Sequence, residues 1–353
     1  MDLGRVINGY RILQEFTTAG GGLCRWTFVE KDGKAYFLKE FLSPKYPTEG
    51  SPGSAIVKAQ KRKRCEQFEL HHKMLTKAIA ASVGDGGNLV ATKVFFRSGT
   101  TYYKVTEKVD VSSLTPEDIS KVPIGQRILV LKTVAHSLKI LHQHGIVHGD
   151  LKPDNILIKR KEGSAYIAKL IDFDDSYFAK SAPEISDETD IVGTPDYYSP
   201  ELGRYIKRDT KVTASDLDTI SDIFALGVIY SQYLTGKKPL FDSKYRYAWE
   251  AAIHRSPPHV KSEGLPSTLV DLIDSMLHLD PAKRPDIRAV FLRLQNWDKL
   301  EKVSEKSKSR LTGTAFRRSA ALGATGTPAP APPDGPVKSE SRLRGTLIKK
   351  KKS

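Results

Sequence analysis

The run His148-Gly149-Asp150-Leu151-Lys152-Pro153-Asp154-Asn155 places a carboxylate, an ammonium and a carboxamide at fixed spacing, and it leads straight into the apolar stretch Ile156-Leu157-Ile158. A second apolar stretch, Leu170-Ile171, leads into Asp172-Phe173-Asp174. Polar groups spaced in this way beside apolar strands are what a site on a rigid hairpin requires. A structural hairpin with surface charges is the competing reading, but it does not account for two such segments in order. Upstream, Thr17-Thr18-Ala19-Gly20-Gly21-Gly22-Leu23-Cys24 holds a glycine triplet whose backbone amides can approach a phosphate. Lys39 lies in the alternating run Ala35-Tyr36-Phe37-Leu38-Lys39-Glu40-Phe41. Each of the last two is weak alone, because a glycine triplet is most often a turn and a strand lysine is most often solvated.

In order, these segments resemble the eukaryotic-like serine/threonine protein kinase family, whose H-R-D-x-x-x-x-N and D-F-G elements they match with two substitutions, Gly149 and Asp174. The resemblance implies phosphoryl transfer from ATP, a chemistry of positioning and charge neutralisation more than of covalent catalysis. It implies that Asp150 orients the substrate hydroxyl and accepts its proton, and that Lys152 steadies the transferring phosphate. Asn155 and Asp172 are then expected to give hard oxygen ligands to Mg²⁺, with Mn²⁺ as an alternative. Lys39 resembles the lysine that pairs with the ATP α/β-phosphates and with a helix glutamate. Glu69 is expected as that partner in preference to Glu66 one turn earlier, because Glu69 falls on the apolar stripe of its helix.

Gly20, Gly21 and Gly22 occupy the place of the family's phosphate cover, with Thr17 and Ala19 replacing its first two glycines and Cys24 its valine. The strand Tyr102-Tyr103-Lys104-Val105-Thr106-Glu107-Lys108-Val109 resembles the one that enters the interlobe hinge. There Thr106 is expected as the gatekeeper, with the backbones of Glu107 and Val109 contacting adenine, although an ordinary half-buried strand explains the alternation equally well. Gly193 to Glu201 resembles the end of an activation segment, with Glu201 expected to meet Arg284, and Asp222 is expected to cap the catalytic loop. Lys152 with Thr194 follows the serine/threonine pattern.

Four departures qualify the resemblance. The glycine loop is degenerate, and Phe37 replaces a small alanine beside adenine. Gly149 replaces an arginine that binds an activation-loop phosphate, so activation is not expected to depend on one. Asp174 replaces a glycine and adds a second carboxylate near Mg²⁺. The degenerate elements look more prokaryotic than animal.

Alternating β-branched and aromatic runs between Gly9 and Phe41, separated by glycine-rich and Asp-Gly turns, predict three antiparallel strands. Residues 55–81 predict a helix whose Cys65, Phe68, His72, Leu75 and Ile79 recur at three- and four-residue steps. Two more strands follow around Leu89 to Phe96 and Thr100 to Val109. Helical signals then dominate: a start at Thr115-Pro116-Glu117-Asp118, a long amphipathic helix from Ile124 to His144, and candidates over 218–234, 244–254 and 266–279. The expected fold is therefore α+β and two-lobed. A small β-rich N-lobe with one main helix, about 8–109, precedes a larger α-helical C-lobe, about 110–300, with a cleft at the join.

Among the 353 residues, 39% are apolar and 27% charged, as in ordinary globular chains. Cys24 and Cys65 are the only cysteines, without the spacing of a disulfide framework or a zinc site. No apolar run has signal-peptide or membrane-spanning length, so a cytoplasmic protein is expected. The formal charge is +15, and residues 302–353 carry 13 Lys/Arg against 3 Asp/Glu in a segment rich in Ala, Gly, Pro and Ser. Residues 301–353 are therefore expected to be a basic, disordered tail. Its threonines Thr312, Thr314 and Thr346 invite self-phosphorylation, and Lys349 to Lys352 invites contact with a polyanion or an acidic membrane.

The expected function is ATP-dependent transfer of phosphate to Ser/Thr hydroxyls of proteins, including the chain itself. The runner-up is a catalytically weak, nucleotide-binding scaffold, favoured by the degenerate glycine loop, Phe37 and Asp174. A kinase-like enzyme acting on a small metabolite or nucleic acid is disfavoured by Lys152-Pro153 and by the long span from Asp172 to Glu201.

Overall fold

The computed structural model describes residues 2–18, 24–81, 87–109, 113–160, 166–183, 193–297 and 299. All of them lie in one compact unit, Met1–Ser304. The N-terminal part is a six-stranded antiparallel sheet in the order β1-β2-β3-β4-β6-β5. Its strands are β1 (Val6–Ile7), β2 (Tyr10–Ile12), β3 (Cys24–Lys31), β4 (Lys34–Phe41), β5 (Thr92–Ser98) and β6 (Thr101–Glu107). The three strands expected between Gly9 and Phe41 are β2, β3 and β4, and β1 precedes them because Asn8-Gly9 makes a two-residue turn with φ of 49° and 82° that pairs Val6–Ile7 with Tyr10–Ile12. Asp32-Gly33 does the same between β3 and β4, with φ of 51° and 73°. Positive φ at both central residues matches the right-handed twist of the flanking strands, which is why Asn-Gly and Asp-Gly recur there.

The two-residue period of a strand divides β4 between two faces. Leu38, opposite Val105, packs with Ile7, Ile12 and Val29 on one side. Phe37 and Lys39 point to the other, opposite Phe28 and Trp26. Helix α1 (Ala55–Ala80) crosses the sheet, its first turn capped by the Ser54 hydroxyl accepting from the Val57 amide. Its buried residues Cys65, His72, Leu75 and Ile79 follow the expected stripe. Phe68 joins them in an aromatic cluster with Phe41, Phe95 and Tyr102.

The remainder is mainly helical. Helix α2 (Pro116–Lys121) starts with a reciprocal capping box between Thr115 and Asp118, the signal read in the sequence. Helix α3 (Ile124–Gln143) buries eight residues, among them Leu131, Val134 and Leu138. Two short strands, β7 (Ile146–Val147) and later β10 (Tyr177–Phe178), pair with each other, and between them β8 (Ile156–Arg160) and β9 (Tyr166–Leu170) form a hairpin. Helices α4 (Pro200–Ile206), α5 (Ile220–Thr235), α6 (Ala248–Ile253), α7 (Ser267–Met276) and α8 (Ile287–Gln295) follow among the described residues.

Every residue of α5 from Ser221 to Leu234 is buried, as a helix apolar on all sides must be. It ends at Gly236 in the left-handed conformation, φ 73°, where a β-carbon would come within 2.9 Å of the Ser120 hydroxyl. The helix expected over 244–254 is shorter because the Lys244 amide donates to Asp242 Oδ1 in a turn instead. Among the described residues no helix is long and apolar enough to cross a membrane.

Candidate active site

The loop after β7 is fixed from below by α5. Asp222, in the first turn of that helix, accepts from the His148 amide at 2.8 Å and the Gly149 amide at 3.3 Å, and lies 2.9 Å from His142 Nε2. One buried carboxylate thus satisfies three donors of the loop and its neighbour, the capping role expected for Asp222. His148 is fully buried against Phe173, with ring centroids 5.3 Å apart, and its carbonyl accepts from the Ser176 hydroxyl.

This scaffold presents Asp150. Its Oδ1 accepts from the Thr194 hydroxyl at 2.7 Å, and its Oδ2 faces Lys152 Nζ at 2.6 Å and accepts from Asn155 Nδ2 at 3.1 Å. Lys152 Nζ also donates to Thr194 Oγ1 at 2.9 Å, closing a triangle of Asp150, Lys152 and Thr194. The Asn155 amide nitrogen is doubly used, since it donates to the Asp150 carbonyl at 2.8 Å as well. The β8–β9 register, Ile156 opposite Leu170, continues outward as a bond from the Ile171 amide to the Asn155 carbonyl. The hairpin therefore sets Asn155 beside the residue that precedes Asp172.

Asp172 has φ 61°, an unusual backbone for a residue with a side chain. Its carboxylate accepts from Lys39 Nζ at 3.0 and 2.9 Å. Asp174 has no such backbone requirement, although its place in the motif is the family's glycine. Its Oδ2 lies 2.6 Å from Lys39 Nζ, and its Oδ1 accepts from Lys104. Lys104 sits opposite Lys39 in the β4–β6 ladder and also reaches Asp172 at 3.5 Å. Two ammoniums and two carboxylates thus meet at the base of the sheet. Burial opposes the charged form of Lys39, but Asp174 and then Asp172 outweigh it and hold the ammonium well above its ordinary range. Burial likewise opposes ionised Asp174, and Lys104 and Lys39 outweigh it and keep the carboxyl well below its ordinary range.

Two site expectations are corrected by these contacts. Glu69 does not meet Lys39; it bonds Lys73 one turn on, at 2.5 Å. The stripe of α1 that faces the sheet is occupied by Cys65, Phe68 and His72, which leaves Glu69 at its edge. Cys24 does not line the cleft either. It is buried beside Phe41 and Cys65, where burial above all pushes its thiol up to about 12, and Trp26 two residues later takes the cleft position.

The cleft beside these groups has a volume of about 610 Å³. Trp26, Phe28 and Phe37 form one aromatic wall, with Trp26 and Phe37 stacked at 5.2 Å. Thr106, Glu107 and Val109 line it on the strand side, Leu157 and Ile171 on the hairpin side, and Lys39, Lys152, Asn155 and Asp172 at the polar end. Glu107 also receives Lys169 Nζ at 3.2 Å. Gly20, Gly21 and Gly22 lie outside the described residues. Lys104 was missed in the sequence, although the signal was present: in β6, Tyr102, Lys104 and Thr106 alternate onto one face, and Thr106 was already placed on the cleft.

Glu201 and Arg284 meet in the helical part as a buried bidentate pair, at 2.7 and 2.8 Å, with Ser221 donating to the same carboxylate. The arginine also donates to the carbonyls of His278, Ile220 and Leu279, so the guanidinium is fully engaged.

The sequence model of one family, the protein kinase domain, matches residues 54–293. The chain is 34% identical over 188 residues to a serine/threonine-protein kinase of Myxococcus xanthus, a stretch covering 53% of this chain and 25% of that protein. It is 31% identical over 233 residues to calcium-dependent protein kinase 8 of Arabidopsis thaliana, covering 64% and 41%. To serine/threonine-protein kinase PknB of Mycobacterium leprae it is 27% identical over 212 residues, covering 56% and 31%. The chain thus spans less than half the length of these relatives.

Proposed function

This chain belongs to the protein kinase family, and we propose that it transfers the γ-phosphoryl group of ATP to serine or threonine hydroxyls of proteins. The observation that carries the reading is the Asp150–Lys152–Thr194 triangle at the polar end of the cleft. Asp150 is oriented from both oxygens. It is placed to accept the proton of a substrate hydroxyl as the oxygen–phosphorus bond forms and the bond to ADP breaks. Lys152, a compact cation beside it, offsets charge on the transferring group.

The cleft suits a nucleotide. Its volume lies within the range of small-molecule sites. The aromatic wall offers stacking surface to a base, and Lys39 offers an ammonium to phosphates. Among the described residues no three His, Cys, Asp or Glu side chains form a metal cluster. One carboxylate, Asp172, and one amide, Asn155, match instead the few protein ligands that Mg²⁺ takes when phosphates supply the rest. With its nitrogen committed to Asp150, Asn155 keeps its amide oxygen for the cation. Bound Mg²⁺, or Mn²⁺, would supply positive charge to the phosphates.

The same proposal includes phosphorylation of the chain's own 301–353 segment, polyanion or acidic-lipid contact through Lys349 to Lys352, and a cytoplasmic setting in keeping with two free cysteines. One observation favours a second reading, a nucleotide-binding scaffold: α1 brings no carboxylate to Lys39. The deciding experiment incubates the full chain with γ-labelled ATP, Mg²⁺ and a generic basic protein, followed by phosphoamino-acid analysis. Label on serine or threonine of the added protein is the expected result. Nucleotide binding without transfer would establish the scaffold.

A further inference from the structure

Lys39 has no partner on α1, yet it is not left unpaired. The helix turns Cys65, Phe68 and His72 toward the sheet, Glu69 is committed to Lys73, and Glu66 is exposed. The buried carboxylate that reaches Lys39 in addition to Asp172 comes from Asp174, on the turn that carries the metal-binding position itself. Asp174 would leave this corner one negative charge in excess, and Lys104 removes the excess. It is 4% exposed, bonds Asp174 directly and faces Lys39 across the ladder.

The geometry points to a positioning pair: Asp174 takes over the work of the absent helix carboxylate by holding Lys39 in the cleft, and Lys104 bonds Asp174 from the neighbouring strand and holds it in place. This rests on the reading of the cleft as an ATP site and deepens it. The two departures from the family pattern, a glycine replaced by Asp174 and a helix without a facing carboxylate, become one compensated change. Lys104 on β6 is the third part of that change. A buried carboxylate beside a single lysine already paired to Asp172 would be an uncompensated charge. Since both anchors of Lys39, Asp172 and Asp174, then come from the loop after β9, its placement is independent of the rotation of α1.

The test uses the full chain as wild type, Asp174→Asn, Lys104→Met, their double variant and Lys104→Arg. Three quantities are read: kcat and KM for ATP in transfer to a generic basic protein, the affinity for a fluorescent ATP analogue, and the melting curve. Asp174→Asn and Lys104→Met should each lower kcat/KM for ATP by about 10²-fold, the cost of misplacing a catalytic group by about an ångström. KM for the protein substrate should be unchanged, a split that general loss of stability would not produce. The double variant should lose much less than the product of the two, because the partners act together, and Lys104→Arg should keep most of the activity. Single variants that fold and stay within about threefold of wild type in both kcat/KM and analogue affinity overturn the pair. If Asp174→Asn does not fold, Lys104→Arg decides, since loss of transfer in that folded, charge-conserving protein removes the charge-balancing role. A wild type that binds the analogue but transfers nothing would sink the kinase reading instead. Analogue affinity would then judge the pair alone, and an affinity loss of about tenfold in Asp174→Asn would support it.

Discussion

A β-carbon on Gly149 would lie 2.2 Å from the carbonyl oxygen of Asp175, and Gly149 has φ 81°. The position is closed to a side chain by both backbone strain and contact. Gly193 repeats the situation from the opposite side: its φ is 75°, and a β-carbon there would meet the Gly149 carbonyl at 2.8 Å. Two glycines thus allow the loop after β7 and the residue before Thr194 to approach through their backbones, where many family members place an arginine. Restoring that arginine should therefore harm the protein. Gly149→Ala is expected to cost about 2 kcal/mol or more, since left-handed strain alone is about 1–2 kcal/mol, and Gly149→Arg should also lower phosphotransfer. Melting curves and initial rates check this; an arginine variant as stable and active as wild type would show that the loop accommodates a side chain after all.

Asp150 and Thr194 separate orientation from proton transfer. Asp150→Asn keeps the shape and should leave the melting curve in place while reducing the rate by at least ~10²-fold, as for loss of a general base. Thr194→Val removes the hydroxyl that donates to Asp150 Oδ1 and receives Lys152. Thr194→Ser keeps it. The serine variant should stay within a few-fold of wild type and the valine variant should not, with roughly tenfold separating them, the order of one net hydrogen bond in the reaction complex. Equal rates for the two would show that the triangle does not act on Asp150.

Glu69 yields a prediction opposite in sense to the one its sequence position suggests. Because it bonds Lys73 on a half-exposed edge of α1, Glu69→Gln should change the rate by less than about threefold and stability by about 0.5 kcal/mol or less, as for an ordinary i,i+4 pair. A deep loss of activity would mean that α1 rotates during turnover and brings Glu69 to Lys39.

The contrast between Glu69 and Asp150 shows which parts of the site are legible in a sequence. Asp150, Lys152 and Asn155 are neighbours along the chain, and the β8–β9 hairpin that sets their relation to Asp172 is itself local, so the motif that carries the family resemblance already named residues that the fold brings together. The lysine's partner depends on how a helix is rotated over a sheet. That rotation is set by Phe68 and His72 packing against Phe41 and Phe95, contacts between elements far apart in sequence. Periodicity named the stripe of α1 correctly, but it could not tell which residue at its margin turns outward. Lys104 was hidden for a related reason. Its alternation was readable, whereas the ladder register that puts it opposite Lys39 is a tertiary fact. Cys24 and Trp26 differ by one strand period, and the β3–β4 register, which sets Cys24 opposite Phe41 and Trp26 opposite Lys39, decides which lies over the cleft.

His72 offers a test of this packing through pH. Its ring stacks on Phe95 at 4.8 Å and meets Phe68 at 4.3 Å and Phe41 at 5.2 Å, and it is 5% exposed. Burial pulls its pKa down to about 3, against a weaker opposing pull from Asp174, so the native state keeps it neutral. The unfolded chain takes up a proton at this residue as pH falls below about 6.5, and the folded chain does not until about pH 3. Its contribution to stability is therefore complete above pH 6.5 and is lost progressively between 6.5 and 3, by up to about 1.4 kcal/mol per pH unit. His72→Phe keeps an aromatic ring in the cluster and removes the titration. Relative to wild type, the variant should gain about 2 kcal/mol on going from neutral pH to about pH 4.5, visible as a flatter fall of Tm with acid. Other carboxylates titrate equally in both proteins, so the difference between the curves isolates residue 72. Parallel curves would mean that the imidazole reaches solvent and is charged in the native state.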